Sequence, residues 1–499
     1  MEKKQKAIVV GAGISGMSIA CLLAKKNYQV TVVEKNSIYG GRGRVLKAND
    51  FIFDMGPSWY LLPEVFDDFF KLFDADINDY LELVKLDPSY RVFLPKGKVV
   101  DISTDIEENI KIFEDIEPGS GENFRKYLEK SEKLYKVLVG KLFYKDLTSR
   151  KVLMDRSLLK EFKGISASDL FSNYEKLCSK YFKTEELKRI IQYGVALLGS
   201  HPEDAPGLYA MMSYADYKKG VYYPKGGIGK LFTSIYKLSK KLGVEYKFNF
   251  DVSGFDYSDK NITSVISSDG QKESTDLVVM NGDYAHTELE ILDKKYQTYD
   301  EKYWSSKKIG ASAFIVYLGV NKKLKNLQHH NLFLDRDWKE HFKGLSDSTV
   351  WPQRPAYYVC APSKTDSTVA PSNCENLFFT VPIPAGVEDN DNLRITYFHK
   401  IIKHFEGVIG EEIKYDIIYK KIFTVNDFKQ DFHAYKGTAL GLANNLKQTG
   451  FLRVGYKSKK LDNLYYTGQY VHPGSGLSAC VASARIISDK ISDDFNEKK

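Results

Sequence analysis

Residues 6–35 read KAIVVGAGISGMSIACLLAKKNYQVTVVEK, and the spacing within them decides the fold. Four consecutive apolar residues, Ala7 to Val10, match a strand buried on both faces, as in a parallel sheet. Gly11, Gly13 and Gly16 follow as G-x-G-x-x-G, then an apolar helix, then a second strand. In such a unit the first glycine permits the turn and the second lets a pyrophosphate approach the backbone. The third lets the helix pack on the strand. The helix N-terminus adds unpaired N–H groups and the positive end of its dipole. Glu34 closes the second strand about 20 residues after the glycines, where a carboxylate accepts hydrogen bonds from a ribose diol. Glycines alone could make a purely structural turn; strand, helix, second strand and Glu34 together predict a Rossmann-like dinucleotide site.

Lys3, Lys4 and Lys6 ahead of the apolar run superficially match a secretion signal. Three glycines interrupt the run and the pattern continues into the second strand, so the segment is read as part of the fold. Gly40, Gly41 and Arg42 follow Glu34 closely, and Arg44 comes next. A glycine pair lets the chain fold back over a cofactor, and an arginine fork suits a diphosphate. At this position the arrangement resembles the extended fingerprint of the flavin amine oxidase and phytoene desaturase superfamily, and FAD is the expected cofactor.

Composition sets the outer limits. The chain has 499 residues, or roughly three domain-equivalents at ~150 each. Charged residues at 27% and apolar residues at 43% exclude global disorder and fibrous classes. A mean hydropathy of −0.36 and the lack of a run of ~18 apolar residues argue against a spanning helix. A net charge of +7 over this length is too dilute for a dedicated nucleic-acid binder. Aromatic content is 13%, which suits both a core and a long apolar channel. Cys21, Cys178, Cys360, Cys374 and Cys480 are scattered, odd in number and free of C-x-x-C, so neither a metal site nor a disulfide framework is expected.

Further along, FDMGPSWYLLPEVFDDFFKLF breaks a strand at Gly56-Pro57 before a helix with an aromatic stripe. That stripe is read as core in preference to substrate wall. Residues 100–215 are mainly helical by apolar period, too long for a Rossmann crossover, and read as an insert. Gly226, Gly227 and Gly229 open a helix; they could hold a phosphate, but starting the helix explains them. Asp269-Gly270 marks a hairpin turn before the buried strand DLVVMN. NLYYTGQYVHPGSGLSAC ends the pattern with a strand, a glycine-rich loop and a helix, in which His472 is read as a turn residue.

Over essentially its full length the chain resembles carotenoid desaturases of the bacterial and fungal phytoene desaturase type. The matching blocks include VEKNSIYGGRGRV, FDMGPSWYLLPEVF, YYPKGGIGKL and VVMNGDYAHTE, and the most specific are GPSWYLLPEVF, residues 357–386 and TGQYVHPGSGLSACVASAR. The resemblance implies an α/β fold: a Rossmann-like FAD-binding domain of the GR2 type, a substrate domain and an inserted helical cap. The expected division is 1–95, 221–290 and 455–499 for the FAD domain, 96–220 for a helical insert that docks substrate and membrane, and 291–454 for the substrate domain. Carried over by position, the FAD contacts are Gly11, Gly13, Gly16, Glu34, Gly41, Arg42, Gly56, Pro57, Val252, Gly468 and Leu477.

The implied activity is FAD-dependent carotenoid desaturation, with 15-cis-phytoene to lycopene as the expected reaction. A 3,4-desaturase of hydroxylated carotenoids, a carotene isomerase and a diapocarotenoid desaturase or oxidase share these motifs and stay open. A flavin amine oxidase and a non-catalytic FAD-binding protein are the readings from other classes. A hydrocarbon needs no arginine clamp or oxyanion hole, and no Ser/His/Asp, zinc or P-loop signature is present; no catalytic side chain is assigned. Phytoene resides in the bilayer, so a cytoplasmic protein docked peripherally on the membrane is expected. The segment KYLEKSEKLYKVLVGKLFYK supplies the expected apolar stripe and lysines, with a core-packed helix as the competing reading.

Overall fold

A computed structural model describes residues 4–148, 172–197, 200–347 and 349–496. Strand β1 (Lys6–Val10) lies in the middle of a five-stranded sheet ordered Leu464–Tyr466, Leu277–Met280, β1, β2 (Gln29–Glu34), Glu245–Phe248. All four junctions are parallel, with Val9 opposite both Val32 and Val279. The sheet therefore gathers strands from the N-terminal, middle and C-terminal parts of the chain. Helix α1 (Ile14–Lys25) buries every residue from Ile14 to Leu23. It does so because the helices Gly229–Lys241 and Leu477–Asn496 both pack against it.

The opening of Gly229–Lys241 holds no space for a phosphate. The N–H groups of Ile228 and Gly229 donate to the two oxygens of Asp54, at 2.7 and 2.8 Å. A buried carboxylate of the chain itself fills the helix N-terminus, so the glycines there serve the turn. Asp269-Gly270 forms the turn of the hairpin Asn261–Ser267 with Lys272–Ser274, and Leu277–Met280 is buried throughout.

A second, seven-stranded sheet runs Ile417–Phe423, Ser312–Val320, Glu375–Ile383, Tyr357–Cys360, His330–Phe333, Tyr90–Phe93, Val99–Ile102. The strands Tyr90–Phe93 and Val99–Ile102 stand on either side of residue 95/96, and both belong to this sheet. Ser312–Val320 is buried along its length because the sheet is covered on both faces. Phe314, Val316 and Leu318 pack with Phe398, Ile401 and Phe405 of the helix Asp391–Ile409. Ala313, Ile315 and Tyr317 point the other way, into a core shared with the helical segment. Tyr317 Oη donates to the Met55 carbonyl at 2.9 Å and ties this sheet to the segment that follows the strand Phe51–Asp54.

The helical segment contains Ile106–Ile116, Ser120–Val137, Tyr174–Ser179 and Glu185–Leu197. In Ser120–Val137 the apolar stripe Phe124, Tyr127, Leu128 and Leu134 is buried, with Phe124 stacked on Phe113 at 4.1 Å. This stripe packs on the core, and the lysines between form the exposed face. The aromatic stripe after Gly56-Pro57 is core as well: Val65, Phe66, Phe69 and Phe70 of Pro63–Lys71 are buried beneath the first sheet. No described helix is long and apolar enough to cross a membrane.

Candidate active site

The glycine turn forms at the carboxyl edge of β1, where parallel-sheet proteins bind ligands. Gly11 takes φ +101° and its N–H donates to the Val33 carbonyl at 2.7 Å. Gly13 caps α1 without any side chain, which leaves N–H groups of the first turn open. A Cβ on Gly16 would lie 2.1 Å from the Gly11 carbonyl oxygen, so α1 can approach the turn only through glycine. Asn281, just after Leu277–Met280, donates its Nδ2 to the same carbonyl at 3.3 Å and fills the space behind the turn.

Glu34 is buried and does more than wait for a ribose. Its Oε2 accepts from Ala12 N–H at 2.7 Å, and its Oε1 from the N–H and Nδ2 of Asn36 at 2.9 and 2.8 Å. A carboxylate offers about four acceptor positions, so one remains, on Oε2. Gly40 N–H donates to the Ala12 carbonyl at 2.9 Å, which folds the Gly40-Gly41-Arg42 segment back over the turn. Arg42 lies over the Phe432 ring at 5.1 Å and its Nη2 reaches the Thr438 carbonyl at 3.4 Å. Its Nε is buried without a partner, as is Gln469 Nε2. Burial pulls the Arg42 pKa down and the nearby Asp283 carboxylate opposes that shift. Asp283 is itself pushed up by burial, against hydrogen bonds from Tyr470 Oη, His286 N–H and Tyr435 N–H.

A single cavity of about 1330 Å³ joins this turn to the face of the second sheet. Pockets for one drug-sized ligand run to about 300–1,000 Å³, so this one has room for a large cofactor and a second molecule. Of the eleven expected contacts, Gly11, Gly13, Glu34, Gly41, Arg42, Gly56, Pro57, Val252, Gly468 and Leu477 line it. Gly16 does not; it stands behind Gly11, in the packing role expected of the third glycine. The two unpartnered donors Arg42 Nε and Gln469 Nε2 belong to lining residues and suit an acceptor-rich group such as a flavin dinucleotide. Toward the second sheet the wall becomes aromatic, with Trp59, Tyr193, Trp338, Tyr358 and Phe378.

The profile of the flavin containing amine oxidoreductases matches residues 14–492. The chain belongs to this family. It is similar to the carotenoid 3,4-desaturase of Haloarcula japonica, at 39% identity over 98% of each chain. It is also similar to the phytoene desaturase of Fusarium fujikuroi, at 29% identity over 99% of this chain and 90% of that one. An oxidoreductase from Methanosarcina mazei shares the fold with a TM-score of 0.61 at 15% identity, covering 98% of this chain and 100% of its own. The protein is thus an FAD-dependent oxidoreductase of the carotenoid desaturase group, with the α/β flavin amine oxidase fold.

Several residues of this flavoprotein site had no mark in the sequence. Asn281 and Asp283 sit in VVMNGDYAHTE, quoted above only as a matching block; polar residues directly after a buried strand were the available signal. Arg453 lies in a stretch of ordinary composition, yet it is buried beneath the loop 469–471. His472 lines the cavity, and burial beside Arg453 pushes its pKa down to about 4, which leaves a neutral imidazole. His330 stacks on Trp59 at 4.2 Å, behind the wall. With His329 and Cys360 it forms a buried set whose ligand-type atoms lie within 4.8 Å of one another. Burial keeps both of these histidines neutral, and none of the three lines the cavity.

Proposed function

We propose that this chain is a carotenoid desaturase that introduces a double bond at the 3,4 position. The observation that carries the reading is the 39% identity, over nearly the whole of both chains, to a protein of that activity; the phytoene desaturase relative stands at 29%. The cavity supports it: its length of apolar and aromatic wall suits a polyene, and among the described residues the lysine and arginine side chains that line it all fall within residues 35–44. Phytoene-to-lycopene desaturation is the second reading, favoured by that phytoene desaturase relative.

In this reading FAD, when bound, supplies the hydride acceptor while a proton leaves the neighbouring carbon. Gly11 and Gly13 would let the pyrophosphate approach the N-terminus of α1, and the free position on Glu34 Oε2 would accept from the ribose. Arg42 would offer its guanidinium to the cofactor, and Gly56, Pro57, Val252, Gly468 and Leu477 would complete the wall around it. Expression in bacterial hosts that accumulate either phytoene or lycopene, with pigment analysis, tests the function. A longer polyene from the lycopene host, with phytoene left untouched, is the expected result. Lycopene formed from phytoene establishes the second reading, and unchanged pigments in both hosts overturn both of these substrate readings.

Carotenoids reside in bilayers, so this reading includes peripheral docking on the cytoplasmic membrane surface. Leu446, Phe451 and Leu452 support a place for it: they line the cavity and are 38%, 54% and 46% exposed, so the wall reaches the surface there. Apolar side chains at the opening would enter the lipid boundary and let substrate pass without crossing water. Flotation with liposomes is expected to carry the wild-type protein upward and to leave the triple variant Leu446→Ser, Phe451→Ser, Leu452→Ser largely behind. Equal flotation of the two proteins would remove this loop from the docking surface.

A further inference from the structure

Behind the aromatic wall of the cavity, three soft donors meet out of reach of solvent. His330 and Cys360 stand directly opposite each other on the antiparallel strands His330–Phe333 and Tyr357–Cys360, so their side chains share one face of the second sheet. The bond from Ala361 N–H to the His329 carbonyl, at 2.7 Å, brackets this pair and makes it the closer kind of cross-strand pair. His329 precedes the strand, and its ring lies 4.5 Å from that of His330 at 71°. One ring nitrogen of each histidine and Cys360 Sγ fall within 4.8 Å of one another. All three residues are buried. No C-x-x-C spacing announces such a set, because its members come from two paired strands.

The hydrogen bonds around the rings leave one nitrogen of each unused. His329 Nδ1 and Thr365 Oγ1 are hydrogen-bonded at 2.8 Å, and His330 Nδ1 and Tyr358 Oη at 2.6 Å. Both Nε2 atoms are buried without a partner. An imidazole that spends one nitrogen on a neighbouring group and keeps the other free is the arrangement of a metal-ligating histidine. We propose that His329, His330 and Cys360 form a closed three-coordinate site for monovalent copper. Two neutral imidazoles and one thiolate bring a monovalent ion to zero net charge, whereas a divalent ion would keep a positive charge buried. Closed zinc sites take four ligands, and among the described residues only these three gather here; the thiolate also favours the softer ion. Bonds of ~2.0–2.3 Å place three ligands in a plane ~3.5–3.8 Å apart, so the set closes by about an ångström on binding. The Cys360 S–H bond is replaced by S–Cu, the proton leaves to solvent, and no electron moves. Trp59, which lines the cavity, stacks on His330 at 4.2 Å, so the metal holds a ring that backs the aromatic wall.

The flavin-loaded protein is titrated anaerobically with Cu(I) in competition with bathocuproine disulfonate, and copper per flavin is measured after gel filtration. Wild type is expected to retain one Cu(I) per chain, with one sulfur and two nitrogen neighbours by X-ray absorption. The control Cys374→Ser should match it, since that thiol faces Asn321 Oδ1 at 3.6 Å instead. Cys360→Ser and His330→Gln should each weaken retention at least about tenfold, as the loss of a ligand costs no less than the loss of a group that orients one. Cys360→Ser exchanges a single atom, and flavin occupancy equal to wild type shows that its fold is intact. Copper should also raise the melting temperature of wild type and leave that of Cys360→Ser unchanged. Wild type that holds flavin but no stoichiometric copper overturns the proposal. So does copper retention that Cys360→Ser leaves intact, or zinc held by the same residues more tightly than Cu(I). No polyene enters the assay, so its outcome is independent of the substrate reading.

Discussion

Replacing Gly16 with alanine is expected to abolish flavin retention, although alanine is the better helix former. The propensity gain is real, about 1 kcal/mol at a helical position. Against it stands a Cβ placed 2.1 Å from the Gly11 carbonyl oxygen, in a turn whose backbone is held from two sides. Gly11 N–H is bonded to Val33, and its carbonyl accepts from Asn281 Nδ2. Relief requires α1 to move off β1, yet α1 is wedged between two helices. Overpacking a core of this kind typically costs ~1–3 kcal/mol, more when backbone must yield. The steric term therefore wins, and the displaced helix N-terminus no longer faces the pyrophosphate. Gly13→Ala makes the informative comparison. Its Cβ would meet Asn281 Nδ2 at 2.9 Å, a side-chain amide that can turn aside. Thermal unfolding should rank wild type, Gly13→Ala and Gly16→Ala in that order, while flavin absorbance per protein falls in both variants, because a Cβ on Gly13 would stand in the path of the pyrophosphate. A Gly16→Ala protein that keeps full flavin would show that this close approach does not govern the site.

These positions also mark where sequence reading succeeds and where it stops. The glycine turn, Glu34 and the Gly40-Gly41-Arg42 segment are local: each follows from residues a few places apart in one βαβ unit. The stripe in Ser120–Val137 shows periodicity as clearly, but periodicity does not say what covers an apolar face, and here it is the protein's own core. The exposed apolar side chains that reach the cavity sit instead in the loop 446–452, which has no periodicity to notice. The glycines at 226–229 show the same limit from the other side, because only the fold reveals that Asp54, remote in sequence, fills the helix terminus they open. The Asp216 carboxyl, held by Tyr90 and Tyr193, is assembled from three separate segments, and nothing in any one of them marks the cluster. Such clusters are products of topology, which a single sequence does not display.

Arg453→Met is expected to be the most damaging single change outside the glycine turn. The guanidinium is 5% exposed and makes no ion pair among the described residues; it is held by oxygens alone. Its Nε donates to the carbonyls of Tyr470 and Val471 at 2.8 and 3.1 Å, and its Nη2 to that of Gln469 at 2.6 Å. Its Nη1 donates to Asn444 Oδ1 at 3.0 Å and the Gln448 carbonyl at 3.2 Å. One planar fork thus binds the loop 469–471, at the cofactor edge of the cavity, to the loop 444–448 beside its opening. Removing a buried charge can stabilise a protein by ending its desolvation cost. Here burial lowers the pKa to about 10, so the group still carries its charge at neutral pH. The loss is larger, because hydrogen bonds to a charged donor contribute ~1.5–3 kcal/mol each and methionine leaves the acceptors buried and unpaired. Even with strong non-additivity, a destabilisation of at least ~3 kcal/mol is expected, enough to depopulate the flavin-binding conformation. Arg453→Lys separates charge from geometry: an ammonium keeps the charge, but its three donors cannot serve five acceptors arranged around a plane. Flavin occupancy and melting temperature should therefore fall from wild type to Arg453→Lys to Arg453→Met. Equal values for lysine and arginine would mean that charge alone organises the two loops, and full flavin occupancy in the methionine variant would mean that they hold without it.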